Sequence, residues 1–142
     1  MENHLMAFNL KPFYERVEKP WGYEIILTPK DCARAGKILH INAGKRLSFQ
    51  YHDEKEETLT LFSGSATIWL GDEKGEIQKI PMELKKGYHI TPPQKHRVEA
   101  ILDSDIFEVS SPETGITYRL QDDYTRPDET EKLRGQKNRG WE

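Results

Sequence analysis

Short runs in which apolar and polar residues alternate fill most of the chain and predict β-strands rather than helices. Turn residues such as Asn42-Ala43-Gly44 and Ser63-Gly64 separate these runs. The predicted strands cover residues 23–28, 37–41, 46–52, 57–62, 65–70, 76–84, 88–91, 96–101, 105–110 and 116–120. Many short strands with turns at intervals of about 8 to 12 residues predict an all-β fold, either an antiparallel barrel or a double-sheet jelly roll.

The length of 142 residues predicts a single domain with a sizeable core, which we place at residues 19–126. Residues 1–18 have weak periodicity and a few large apolar side chains. We expect them to form an arm that covers a sheet or pairs with a second subunit, and the prediction therefore includes a homodimer. Residues 127–142 are almost entirely polar and predict a poorly packed tail with a short helix around 128–134.

The amino-acid composition of the chain limits the kinds of molecule that it is expected to bind and the compartment in which it is expected to lie. A net charge of −3 and a pI near 6.0 argue against a nucleic-acid partner, because the domain has no overall positive field. Cys32 is the only cysteine, which excludes an intramolecular disulfide and a thiolate zinc site. The chain has no run of 18 or more apolar residues, and its first residues lack the pattern of a signal peptide. These features predict a cytoplasmic protein without a membrane partner.

Four side chains stand out as candidate metal ligands. Gln50 and His52 are two residues apart in a predicted strand, so both side chains point to the same face. Glu57 begins the next strand, and His96 begins a strand farther along the chain. A polar face inside a small barrel is costly unless a metal or ligand occupies it. An amide oxygen, two imidazoles and a carboxylate predict one divalent ion, with zinc first and manganese or iron as alternatives.

The same residues carry a resemblance to a known family. The pattern Gly44-x5-Gln50-x-His52-x4-Glu57-x6-Gly64, followed by Gly87 and His96, resembles the two motifs of the cupin superfamily. The resemblance implies a cupin fold, which is a jelly-roll barrel also called a double-stranded β-helix. It also implies that Gln50, His52, Glu57 and His96 hold the metal.

A closer resemblance is to the C-terminal cupin domain of type II mannose-6-phosphate isomerase, which is fused to mannose-1-phosphate guanylyltransferase. Lys19-Pro20-Trp21-Gly22 is similar to that family's Arg-Pro-Trp-Gly opening, and residues 119–126 are similar to its Arg-x-Glu-Asp-x-Tyr-Gly-Arg close. This resemblance covers roughly residues 17–126. It implies conversion of mannose 6-phosphate to fructose 6-phosphate through an enediol, in sugar activation or polysaccharide biosynthesis.

Two stretches depart from that family. Lys55 stands where the family's metal loop has an arginine, and lysine keeps the charge but loses the bidentate fork. Thr91-Pro92-Pro93-Gln94 replaces the family's Ile-Pro-Ala-Gly. The chain also lacks the nucleotidyltransferase domain, so we expect any role in sugar activation to be carried out alone or in trans.

Under this hypothesis an acid–base group must move a proton, and cations must bind the phosphate. The catalytic candidates are Lys55, Glu99 and Arg97, with Tyr51 as a further candidate for the base. The candidate contacts to a sugar phosphate or nucleotide sugar are Arg46, Lys95 and Arg119. A solvated or strand-edge role explains Arg46 and Arg97 equally well.

A fold does not determine a function, so a second hypothesis stays open. It is a non-catalytic or differently reactive metal-binding cupin, such as a sugar-binding or regulatory protein or a dioxygenase. Oxygenase chemistry favours iron(II) and a more apolar cavity.

Overall fold

The computed structural model describes residues 8–136, which form two antiparallel β-sheets and one short helix. The strands are β1 Glu15–Lys19, β2 Gly22–Ile26, β3 Ala35–Ile41, β4 Phe49–His52, β5 Glu57–Ser63, β6 Ala66–Gly71, β7 Ile77–Pro81, β8 Gly87–Ile90, β9 His96–Ala100, β10 Ser104–Ser110 and β11 Thr117–Gln121, and the helix is α1 Glu131–Arg134. One sheet has the order β1-β2-β3-β10-β5-β8, and the other has the order β11-β4-β9-β6-β7. This architecture confirms the predicted all-β, double-sheet domain.

The inner faces of both sheets supply the hydrophobic core. Its buried side chains are Trp21, Leu39, Ile41, Leu47, Leu59, Leu61, Ala66, Ile68, Met82, Ile90, Val98, Ala100 and Ile106. Because strands alternate their side chains between two faces, each strand contributes every second residue to this core. Burial of these side chains is the main favourable contribution to folding.

Polar residues occupy one end of the same inner faces. In β3 the inward side chains are Lys37, Leu39 and Ile41, and in β10 Glu108 lies directly opposite Lys37. His96 precedes the apolar inward residues of β9, and Glu57 precedes those of β5 in the same way. The interior is therefore apolar at one end and charged at the other.

The N-terminal arm needs a correction. Residues 15–18 of the predicted arm form strand β1 together with Lys19, and β1 pairs with β2 of the same chain from Glu15↔Ile26 to Lys19↔Gly22. Four of its five residues are charged, so its sequence lacks the alternation of apolar and polar residues that predicts a strand. Charged residues are nevertheless typical of an edge strand. Residues 1–7 of the predicted arm lie outside the described residues. Pairing of the arm with a second subunit stays a prediction.

The predicted unpacked tail is wrong for residues 127–134. Glu129 and Thr117 exchange two backbone hydrogen bonds of 2.9 Å, and the Arg119 side chain donates to the carbonyl of Pro127 at 2.7 Å. The Arg134 side chain donates to the carbonyl of Gly115 at 2.9 Å. Helix α1 lies within the predicted range, and residues 137–142 lie outside the described residues.

Among residues 8–136, the structure contains no helix with the length and hydropathy needed to cross a membrane.

Gly64 lies in the tight turn between β5 and β6, and substituting it tests how closely this turn packs. It has φ +95°, and a Cβ there would overlap the main chain of Asp103 and Ser104. Gly75 has a similar φ of +80° but open space around it. We expect Gly64→Ala to cost about 3 kcal/mol of unfolding free energy and Gly75→Ala about 1 kcal/mol. Urea denaturation measures both, and equal costs would contradict the predicted overlap.

Because residues 127–134 bind to the rest of the domain, two truncated chains are expected to differ in stability. A chain that ends after Gln136 keeps the contacts of residues 127–134, whereas a chain that ends after Arg126 loses the two bonds to Thr117 and leaves Arg119 without Pro127. We expect the shorter chain to be less stable by about 2 kcal/mol or more, because each hydrogen bond contributes about 1 kcal/mol. Coincident urea unfolding curves would show that the segment does not stabilise the domain.

Candidate metal centre

The predicted ligands come together at the charged end of the interior. In β4, Gln50 and His52 point inward while Phe49 and Tyr51 point outward, as the alternation predicts. His96 is the first residue of β9 and lies directly opposite Gln50 across the β4–β9 pair. Glu57 is the first residue of β5, in the facing sheet. The site therefore joins the two sheets at one end.

Three of the ligands converge on one point. The ligand atoms of His52, Glu57 and His96 all lie within 4.8 Å of one another. The distance to Glu57 Oε1 is 3.3 Å from His52 Nε2 and 2.9 Å from His96 Nε2. The exposed fraction of each residue is 4% or less. These three residues are called the metal triad below.

The other nitrogen of each imidazole is held by a neighbour. His96 Nδ1 lies 2.9 Å from the carbonyl oxygen of Gln94, which only accepts, so Nδ1 must carry the proton. His52 Nδ1 lies 2.8 Å from Thr117 Oγ1. Both rings thus present Nε2 to Glu57. Partners of this kind on the second nitrogen are typical of metal-binding histidines because they fix ring orientation and tautomer.

This arrangement fits a divalent cation. His96 Nε2 faces Glu57 Oε1 at 2.9 Å, and His96 Nε2 has no hydrogen bond despite its burial. A buried imidazole nitrogen without a hydrogen bond, next to a carboxylate oxygen, forms a pair of atoms that suits a shared cation. Ligand atoms bound at right angles to one ion at about 2.1 Å are about 3 Å apart, which agrees with the observed spacing.

The charge states of the triad also suit a metal. Burial lowers the pKa of His52, so its ring is neutral near pH 7 and has a lone pair for coordination. Burial alone would raise the pKa of Glu57, but Lys55 and the two imidazoles hold it well below its usual value. The triad therefore offers one carboxylate and two imidazoles. The choice among zinc, manganese and iron stays a prediction.

Gln50 lies in the same cavity as the triad, and its Oε1 accepts a hydrogen bond of 3.0 Å from Ser48 Oγ. Its role as a fourth ligand stays a prediction. Lys55 is also buried, and its Nζ lies 3.4 Å from Glu57 Oε2. The structure thus brings the predicted residue Lys55 to the edge of the triad.

A group of paired charges extends from the triad across the inner face of the six-stranded sheet. We call it the buried ion cluster, and its members are Lys19, Glu24, Lys37, Lys55, Glu57, Glu108 and Glu113. Lys55 lies 3.0 Å from Glu108 and 2.9 Å from Glu113, and Lys37 lies 2.9 Å from the same oxygen of Glu113. The pKa of Lys55 is lowered by burial but raised more by these acids, so it stays protonated.

His52 and Glu57 of the triad, together with the buried ion cluster, line a cavity of about 70 Å³. Arg119 lines this cavity, and its side chain is 6% exposed. Its role in substrate binding stays a prediction. Its Nε–H is buried without a hydrogen-bond partner. An unpaired guanidinium donor beside a polar cavity is suited to bind an oxygen of a small ligand.

Four other predicted residues need correction, because the structure does not bring them to the cavity. Arg97 and Glu99 follow His96 at odd spacing and point to the outer face of β9. The Arg97 side chain donates to the carbonyl of Leu47 at 2.9 Å. Arg46 forms an ion pair of 2.8 Å with Asp123, and Lys95 is exposed.

Tyr51, the further candidate for the base, is also outside the cavity. It stacks on Tyr118 with ring centroids 4.9 Å apart, on the outer face of the five-stranded sheet. An adjacent strand position cannot share the face of His52. Tyr51 therefore does not reach the triad.

Sequence reasoning missed several residues of the site. They are Lys19, Glu24, Lys37, Glu108, Glu113, Thr117 and Arg126, all of which line the cavity. Part of this set had a signal, because Lys37 alternates with Leu39 and Ile41, and Glu108 alternates with Ile106. A charge in register with buried apolar residues faces the interior and needs a partner there. Glu113 lies in a loop and had no such signal.

Comparison with known proteins identifies the fold. No protein-family model matches the chain, and no curated protein sequence matches it. Among solved structures, Bacillus subtilis oxalate decarboxylase, a protein with Mn(II) centres, matches with a TM-score of 0.67 and 17% identity over 88% of this chain and 36% of its own.

Two further solved structures are similar. A formate complex of Lactobacillus farciminis oxalate decarboxylase has a TM-score of 0.66 and 17% identity, over 83% of this chain and 38% of its own. The capsular polysaccharide assembling protein CapF from Staphylococcus aureus has a TM-score of 0.58 and 14% identity, over 82% of this chain and 32% of its own. The chain spans about a third of the length of these proteins. Its fold is the cupin fold, as predicted.

Thr117 provides a test of the centre that leaves its three ligands in place. Removing a partner of a metal-binding histidine lowers metal affinity by about 10- to 100-fold. We expect Thr117→Val to weaken Mn²⁺ binding by this factor, because His52 Nδ1 loses its partner at 2.8 Å. Isothermal titration calorimetry measures the affinity.

Thr58→Val is the matched control for this test. Thr58 Oγ1 lies 3.0 Å from Nδ1 of His89, which is an exposed histidine outside the metal triad. We expect this control to bind Mn²⁺ as tightly as the unmodified chain. Equal weakening by both substitutions would mean that Thr117 does not act through His52.

Proposed function

We propose that this protein is a metal-dependent sugar-phosphate isomerase of the mannose-6-phosphate isomerase type. The observation that carries the proposal is a buried two-histidine, one-carboxylate triad beside a cavity with its own acid–base residues. His52, Glu57 and His96 would hold the ion, with Gln50 as the candidate fourth ligand. When bound, a divalent ion supplies Lewis-acid stabilisation of negative charge on the carbonyl and hydroxyl oxygens of the sugar.

Glu108 is the best candidate for the base that moves the proton between C1 and C2. Burial raises its pKa to about 7, against the opposing effect of Lys55 and Lys37. A base with a pKa near the working pH combines a useful fraction of the ionised form with sufficient basicity. Its Oε2 lies 3.0 Å from Lys55 Nζ, and the residue lines the cavity. Glu108 therefore replaces Glu99 in the proposal.

Lys55 and Arg119 bind and orient the substrate in this proposal. Lys55 stays protonated between Glu108 and Glu113, so it acts as a cation that stabilises charge rather than as a base. Arg119 donates its unpaired Nε–H to an oxygen of the substrate. Because the interior excludes water, both donors interact more strongly with developing charge than they would in solvent.

A reaction on a small carboxylate is the second candidate. The oxalate decarboxylases among the similar structures favour it, and one of them has Mn(II) centres. The buried lysines also suit a carboxylate substrate. The two candidates share the metal triad and differ in the bond that breaks.

The direct experiment incubates the chain with Mn²⁺ or Zn²⁺ and mannose 6-phosphate and measures fructose 6-phosphate. We expect turnover that His52→Ala abolishes and Glu108→Gln lowers by about 100-fold or more, since general acid–base catalysis contributes about 10²- to 10⁴-fold. Glu83→Ala is the control, because Glu83 lies in an exposed ion pair with Lys86.

A parallel assay uses oxalate and measures formate and carbon dioxide, with and without oxygen. Turnover of oxalate and not of the sugar phosphate would favour the second candidate. Metal binding without turnover of either substrate would leave a binding or regulatory cupin as the better account.

A further inference from the structure

Glu113 differs from the other acids of the buried ion cluster. It lies in the loop between β10 and β11, whereas Glu24, Glu57 and Glu108 lie in strands. Its side chain is 24% exposed, and the side chains of the other three are at most 5% exposed. Glu113 can therefore turn to solvent by side-chain rotation, without rearrangement of either sheet.

Its carboxylate fills a site made by two lysines. Lys37 Nζ and Lys55 Nζ each lie 2.9 Å from the same oxygen, Glu113 Oε1. Two ammonium groups that converge on one oxygen form the arrangement that binds a phosphate or carboxylate. Both lysines are anchored by strand or triad acids, since Lys37 also contacts Glu24 and Lys55 also contacts Glu57. The two cations therefore stay in position when Glu113 leaves.

Glu113 also separates two cavities. With Lys37 it lines both the 70 Å³ cavity at the metal triad and a neighbouring cavity of about 340 Å³. Small-molecule sites usually have volumes of about 300 to 1,000 Å³, so the inner cavity alone is too small for a hexose phosphate. Rotation of Glu113 removes part of the wall between the cavities.

The charge balance favours an incoming anion. With Glu113 turned away, the cluster has three lysines and three glutamates, and an ion in the triad adds two positive charges. A phosphate monoester carries about −1.5 to −2 near pH 7, which matches this excess. The excess lies in an interior where unpaired charge is costly.

We propose that Lys37 and Lys55 form the anion subsite of this protein, and that Glu113 occupies it as an internal substitute until a phosphate or carboxylate of the substrate replaces it. The assignment of this subsite to the phosphate group of a sugar phosphate rests on the function proposed above. The subsite also faces the larger cavity, which then holds the rest of the ligand. Glu113 thus controls both the affinity for anions and the access to the metal triad.

Inorganic phosphate binding to the full chain loaded with Mn²⁺ tests this inference by calorimetry. We expect Glu113→Ala to bind phosphate at least tenfold more tightly than the unmodified chain, because the internal competitor is gone. Glu113→Gln keeps the size of the side chain and removes its charge, and it should tighten binding by a smaller factor. Glu83→Ala removes an exposed glutamate from a surface ion pair and should leave phosphate affinity unchanged.

A second substitution separates the lysine site from phosphate that binds the ion itself. Adding Lys37→Met to Glu113→Ala should remove the gain in affinity, and a gain that persists would contradict the proposal. Unchanged phosphate affinity in folded Glu113→Ala and Glu113→Gln would overturn it. Should Glu113→Ala fail to fold, the Glu113→Gln result decides.

Acetate in place of phosphate distinguishes the two sources of the anion. A gain for phosphate alone assigns the subsite to phosphate esters, and a gain for both extends it to carboxylates. The binding assay needs no turnover, so its outcome is independent of the isomerase assay. A chain without isomerase activity that shows this pattern keeps the subsite and loses the proposed reaction.

Discussion

The contact between Glu57 and the two imidazoles is the constraint on which the rest of the structure depends. Glu57 Oε1 lies 2.9 Å from His96 Nε2 and 3.3 Å from His52 Nε2 in the interior. A buried carboxylate between two imidazoles needs positive charge close to it, and a cation bound by the three side chains supplies that charge. Strands β4, β5 and β9 are arranged so that each ends or begins at this point.

The buried ion cluster follows from the same constraint. A negative carboxylate at the triad draws Lys55 to 3.4 Å, and Lys55 in turn requires Glu108 and Glu113. Buried ion pairs often give no net stability compared with apolar packing, because desolvation offsets their attraction. The cluster is therefore better explained by the polar, chargeable cavity it creates than by a contribution to folding. The apolar end of the interior supplies the burial that stabilises the domain.

Much of the fold and half of the site were predictable from the sequence because both depend on local periodicity. Alternation alone places Gln50 and His52 on one inward face, and the turn at Ser63-Gly64 produces the hairpin of β5 and β6. The same alternation places Arg97, the residue after His96 in β9, on the opposite face of the sheet. The outward position of Arg97 was therefore also predictable from the sequence. Lys37 was likewise available from its register with Leu39.

Other features were not available from local pattern. Glu113 reaches Lys37 across 76 positions of the chain, and Thr117 reaches His52 across 65, so only the folded sheets bring these pairs together. The edge strand β1 is charged because one of its edges faces solvent, and its sequence therefore resembles that of a loop. Residues 127–134 are polar but docked, since their bonds are to the backbone of Thr117 and Gly115 rather than to apolar side chains.

The most direct measurement of the central claim is an anomalous difference map from crystals of the chain grown with Mn²⁺. We expect one strong peak within about 2.0 to 2.4 Å of His52 Nε2, His96 Nε2 and a carboxylate oxygen of Glu57. A map with no peak among these three side chains, or with the ion bound elsewhere, would contradict it.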